Sequence, residues 1–305
     1  MKPLFLQIVL ALVLAPIQVH ASPGCRGEPI GGIKGLNSAI VLDDDTILGT
    51  SKLHINIDGY AKAYHPLNAA AGALIHLCNA GEVNLPTGDK YHGSIDNRTC
   101  TGKFMQDVAK IGSSKWKDPS VGVVRWYGIL GVDAVTINSK LVKGVVPVEQ
   151  ADGSGFYVSP TKLADETIKD VAAQQRYVHP LRVPAAVIPS SKVLTKHGVL
   201  MGSFGVAIRT DTKIPVPFVV GDAGPRIGEG TPALARALAG LPITDNITRA
   251  NRFAGQMDSG VIWVFFGSSI PRVKYEANQE AAMVKATQAA FLKWGGQKRL
   301  EECLK

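Results

Sequence analysis

The stretch VVGDAGPRIGEGTPALARAL, residues 219–238, sets two carboxylates, Asp222 and Glu229, seven positions apart. Asp222 follows the apolar run PFVV, which reads as a strand. Glu229 stands just before Thr231-Pro232, an N-cap and first-turn pair that opens a helix ended by Gly240. Two carboxylates at one end of a rigid element can divide acid and base work, which is what cleavage of a glycosidic bond requires: one carboxyl protonates the leaving oxygen, the other acts as base or nucleophile. The helix N-terminus favours the Glu229 anion. Burial and a nearby Asp222 charge would push its pKa the other way. The same residues also fit a plain turn with a solvated glutamate.

The rest of the chain must supply the frame. Alternating Leu53, Ile55 and Ile57 mark a strand that ends at Asp58-Gly59. Strand character recurs at 121–137, 155–158, 183–188, 199–208, 215–220 and 260–266, the last reading GVIWVFF. The Ala- and Leu-rich segment 66–81 suits a helix, as do 103–110, 232–239 and the amphipathic run EANQEAAMVKATQAAFLKW, stopped by Gly295-Gly296. Many short strands with few helices between them predict a mainly β fold, a single barrel-like domain with a C-terminal amphipathic helix.

An apolar run from Leu4 to Ala15 behind Lys2, with small residues before Ser22, reads as a cleaved secretory leader over 1–21. The run is shorter than a bilayer span needs, so after cleavage no membrane partner is expected and the protein is secreted. Export gives meaning to Cys25, Cys78, Cys100 and Cys303. Four cysteines allow three pairings; joining Cys25 to Cys303 would clamp the two ends, and spacing does not rank it above the others. No cysteine or histidine spacing suits zinc, and no phosphate-binding glycine loop is present, so no cofactor is implied. Asp43-Asp44-Asp45 lacks the remaining positions of a calcium loop and reads as a solvated turn. The formal charge of +8 is spread over the chain rather than blocked with aromatics, which argues against nucleic acid as partner while favouring anionic surroundings.

The quoted stretch resembles the bacterial branch of glycoside hydrolase family 75, the chitosanases. The motif of apolar strand, Asp-x-Gly-Pro, Ile-Gly-Glu-Gly and small-residue helix stands here as VVGDAGPRIGEGTPALARAL. Four further segments match in order: NIDGYAKAYHP (56–66), GFYVSPTKL (155–163), RYVHPLRVPAAVIP (176–189) and SGVIWVFFGSS (259–269). The resemblance covers roughly 55–269 as a catalytic domain, leaving 22–54 as a lead and 270–305 as a helical tail. It implies a barrel of the double-psi type and endo-hydrolysis of β-1,4 links in chitosan with inversion. Asp222 would be the base that activates water and Glu229 the proton donor. Asp58, Tyr64, His65, Tyr157 and Tyr177 would bind the polysaccharide. Thr231 stands where the family has Ser, and the segment 89–120 has no counterpart. A basic protein is also an odd match for a polycation. A non-catalytic protein gripping an anionic cell-wall polymer is the alternative, and an interaction domain working through the C-terminal helix is a third.

Overall fold

The computed structural model describes residues 24–93 and 102–305. In chain order the strands are β1 (Gly27–Pro29), β2 (Asn37–Leu42), β3 (Ile47–Ile55), β4 (Gly81–Asn84), β5 (Lys90–His92), β6 (Val123–Trp126), β7 (Gly131–Ile137), β8 (Lys140–Pro147), β9 (Ala185–Ile188), β10 (Phe204–Arg209), β11 (Pro215–Ala223), β12 (Glu229–Gly230) and β13 (Met257–Phe265). The α-helices are α1 (Phe104–Ser113), α2 (Lys192–Lys196), α3 (Pro232–Leu238), α4 (Glu280–Trp294) and α5 (Gly296–Cys303).

Six strands close a barrel in the order β3-β12-β9-β11-β10-β13, with β13 returning to pair with β3. Closure removes the exposed edges that an open sheet of such apolar strands would present. The pairs β3–β12 and β9–β11 are parallel, and the other barrel pairs are antiparallel. Period-two alternation explains why these strands are apolar on both faces. Phe218, Val220, Ala207, Trp263 and Phe265 pack into one core, while Val219, Val206, Ile208 and Val264 pack into another beneath α4. β1 and β2 extend the same sheet beyond β3, so residues 27–55 are built into it. The segment 22–54, read from the sequence as a lead, thus holds β1, β2 and all but the last residue of β3.

The tail is equally built in. Phe291 and Trp294 lie nearly parallel to Phe266 on the barrel's outer face, and the Trp294 indole N–H donates to Thr46 Oγ1 at 2.9 Å. Buried Arg299 pairs with Asp44 at 2.8 Å and lies over the Trp294 ring. Asp45 takes His197 and Ser268, so the aspartate triplet fastens the tail and a neighbouring loop. A disulfide joins Cys25 to Cys303, and Cys78 is disulfide-bonded as well. The first bridge closes 278 residues of sequence separation. Its loss is expected to cost about 2–5 kcal/mol, because an untied chain of that length gains conformational entropy on unfolding. Cys25→Ser/Cys303→Ser should therefore melt roughly 5–10 °C lower in a thermal scan; an unchanged midpoint would show that α4 packing alone holds the ends.

The described residues between 56 and 184 leave the barrel and form a layer against one end of it. This layer contains the sheet β5-β4-β6, α1 and the hairpin β7–β8, around a core of Leu77, Val83, Phe104, Ile111 and Trp126. The helix expected over 66–81 is replaced by two 3₁₀ turns, Asn68–Ala71 and Leu77–Asn79. Asn68 explains the break: its side-chain oxygen accepts from Leu77 N at 2.6 Å and folds the segment back on itself, and Gly72 turns with φ 81°. The strand expected at 155–158 reduces to a bridge between Tyr157 and Glu149, since Gly155 turns the chain with φ 74°. The leader 1–21 and Cys100 lie outside the described residues. Among those described, no helix is long and apolar enough to cross a membrane, and no group of three or more His, Cys, Asp or Glu side chains could hold a metal ion.

Candidate active site

Glu229 is placed by the shortest barrel strand. β12 is two residues long, wedged parallel to β3 with Glu229 opposite His54 and Gly230 opposite Ile55. Gly228 has φ 114°, and a Cβ there would meet Ser51 Oγ at 2.7 Å and Lys52 Cγ at 2.8 Å, so glycine is required. Immediately after it, the Thr231 hydroxyl donates to Val183 O at 2.8 Å and accepts from Ala185 N at 3.0 Å and Leu234 N at 3.3 Å. That hydroxyl caps α3 and ties its start to β9, fixing Glu229 from the C-terminal side.

Asp222 is aimed by a β-bulge. β11 runs parallel to β9 with Val220 opposite Ala186, then Asp222 opposite Val187, so Gly221 is the extra residue. Such a bulge bends the strand and redirects the side chains that follow. Asp222 Oδ1 then accepts from Lys162 N and Ala223 N, both at 2.8 Å.

Asp58 sits where β3 runs out into the second layer. Its Oδ1 accepts from the Tyr64 hydroxyl at 2.9 Å and from Ser159 Oγ at 3.3 Å. Asn56 links the two aspartates: its Nδ2 lies 3.5 Å from Asp58 Oδ2, its Oδ1 accepts from Asp58 N at 2.9 Å, and its side chain also bonds Asp222.

Asp58 and Glu229 share the wall of a cleft of about 730 Å³ between the barrel end and the second layer. Asp222 lies behind that wall, in a small pocket of about 10 Å³ that it shares with Asn56 and Asp58. Thus the two carboxylates singled out from the sequence converge on one site, with Asp58 between the open cleft and Asp222. Tyr64 also reaches the cleft. His65, Tyr157 and Tyr177, expected from the resemblance to bind sugar, do not line it. Each is buried: His65 packs on Phe156 and accepts from Leu67 N, Tyr157 packs on Trp126, and the Tyr177 hydroxyl donates to Val171 O. Their motif positions fix turns in the second layer.

Burial dominates the electrostatics. Desolvation and then the Asp222 charge hold the Asp58 pKa well above the usual carboxylate range, against the hydrogen bond from Tyr64. Asp222 is pushed up to about 6, mainly by burial, with its two backbone donors opposing. Glu229 is raised by burial and held back by Lys52, His54 and Arg226. All three neighbouring carboxyls are thus held above their ordinary values, an arrangement in which such groups can take different roles. The Tyr64 donor stabilises the ionised form of Asp58. Tyr64→Phe is expected to move the Asp58 titration upward in a carboxyl carbon NMR titration and to cost about 1–2 kcal/mol of stability; an unmoved midpoint would place that hydroxyl elsewhere.

Four polar residues of the site were not singled out from the sequence. Lys52, His54 and Asn56 form the polar half of the β3 alternation whose apolar half is Leu53, Ile55 and Ile57, so a period-two reading of both faces finds them. Lys52 Nζ donates to His54 Nδ1 at 2.8 Å, which puts the ring proton on Nε2, facing Asp258 Oδ1 at 2.7 Å. Ser159 carries no such signal, since it comes from a loop about a hundred positions away.

No protein-family model matches the chain, and no curated protein is similar to it in sequence.

Proposed function

We propose that the protein is a secreted glycoside hydrolase that cleaves β-1,4-glucosaminide links within a polysaccharide, with inversion, as its resemblance to the family 75 chitosanases implies. The observation that carries the reading is the convergence of Glu229, Asp58 and Asp222 on one end of the barrel, all three raised by burial, beside a cleft open enough for a sugar chain. Glu229, on the open wall, protonates the leaving oxygen. Asp222, ionised above about 6, is the base. Asp58, the most strongly desolvated of the three, is protonated and neutral, leaving the negative charge on Asp222. The productive state pairs protonated Glu229 with ionised Asp222, so activity should fall as pH drops through about 6, where Asp222 takes up a proton. The disulfides accord with an oxidising compartment.

Reducing-end release from soluble chitosans of graded acetylation tests the reading. It requires release by the mature protein; none at any acetylation would overturn chitosan as the substrate, and none from neutral and anionic β-1,4 polymers as well would overturn the reading. A second reading, a binding protein on the same fold, is favoured by Arg125 in the lining of the cleft. It requires salt-sensitive retention on an anionic polymer without any release.

A further inference from the structure

The wall facing the carboxylates is basic, and its basicity is built. β4 is the central strand of the β5-β4-β6 sheet, and its Glu82 stands opposite His92 on one side and Arg125 on the other. Glu82 is buried. Its Oε2 lies 2.9 Å from His92 Nε2, and its Oε1 lies 3.0 Å from Lys90 Nζ and 3.5 Å from Arg125 Nε. One buried carboxylate thus orients three basic side chains, so two fixed cations and a histidine stand against a single negative charge. Lys90 and Arg125 remain more than half or half exposed. Arg125 and His92 line the cleft.

The two acids of the cleft lining, Asp58 and Glu229, are both committed to the chemistry. Around Glu229 stand Lys52, His54 and Arg226. An ammonium on each sugar would meet like charge on both sides of the cleft, in a protein whose formal charge is already +8. A carboxylate meets the reverse: the planar guanidinium matches it with paired N–H donors, at a surface where water has been partly displaced.

We infer that the cleft takes a β-linked glycan whose sugars carry carboxylates, and that Arg125, with His92 beside it, is the subsite that receives one of them. This rests on the glycosidase reading and narrows its substrate class from cationic chitosan to an anionic chain.

Three soluble polymers with one β-1,4 backbone separate the possibilities: glycol chitosan (cationic), glycol chitin (neutral) and carboxymethyl chitin (anionic). Binding is measured on Glu229→Gln and turnover on the wild type, so that recognition and chemistry fail separately. Carboxymethyl chitin is expected to bind about tenfold or more tighter than glycol chitin, with glycol chitosan weakest. That preference should shrink in the Arg125→Gln background. In case removing Arg125 disturbs Glu82, a second readout needs no further variant: raising salt from about 20 mM to about 200 mM should erode the preference, because screening acts on an exposed charge. Equal binding of the anionic and neutral polymers, or tighter binding of glycol chitosan, overturns the inference even if turnover occurs. Anionic preference without turnover supports the subsite and overturns the glycosidase reading instead.

Discussion

Glu229→Gln is expected to lower hydrolysis by about a thousandfold while the protein stays folded, the loss typical of removing a positioned proton donor. Glutamine keeps the volume of glutamate, so the two-residue strand and its packing should persist. Glu229 Oε2 lies near enough to Gly224 that a Cβ there would be 3.7 Å away, which marks how closely the side chain is seated. What glutamine cannot do is release a proton to the leaving oxygen. The change also removes a carboxyl that burial penalises when ionised, so stability should not fall. A melting curve beside the rate measurement separates the two effects. Activity within tenfold of wild type would remove Glu229 from the chemistry.

Asp222→Asn should cost activity on the same scale and change stability in the opposite sense. The folded-state pKa of Asp222 is about 6, above its ordinary value of 3.8. The folded protein therefore holds a proton that the unfolded chain has already released between those values, and stability falls as pH rises from about 4 through 6. A shift of that size corresponds to about 3 kcal/mol lost by neutral pH. Asparagine keeps the acceptor for Lys162 N and Ala223 N and never ionises. Its melting point should thus match wild type near pH 4, exceed it near pH 8, and depend less on pH between them. Parallel pH profiles for the two proteins would mean that Asp222 is not the desolvated base. Burial sets this behaviour, opposed by the two backbone donors and Asn56, with the Glu229 charge adding to the rise.

The barrel was legible in the sequence because its strands carry their own signal. Runs such as PFVV and GVIWVFF are apolar on both faces, and Thr231-Pro232 and Gly240 bracket α3 with chemistry that needs no tertiary context. The convergence of Asp222 and Glu229 was legible for the same reason: each flanks a rigid element. The Gly221 bulge was hidden, because a bulge is defined by a pairing partner and β9 lies more than thirty residues upstream. Asp58 appeared only as a turn residue or cleft lining. Its place between the cleft and Asp222 comes from Tyr64 and Ser159, which reach it from the second layer. The burial of His65, Tyr157 and Tyr177 away from the cleft lining was not legible, because a motif aromatic can fix a fold as readily as stack on a sugar. Segment 66–81 has helical composition, and one asparagine side chain, Asn68, competing for the backbone breaks it.

The central claim is that paired carboxylates here direct water onto one face of a sugar while protonating the bond on the other. Its most direct test is the anomeric form of the first product, followed by proton NMR as the wild type cleaves a soluble β-1,4-linked chitin derivative. The account predicts fresh α-anomer that later equilibrates, since inversion of a β link by water gives nothing else. Fresh β-anomer would contradict the assignment of Asp222 as base, and no new reducing ends across the cationic, neutral and anionic polymers would contradict the enzyme itself.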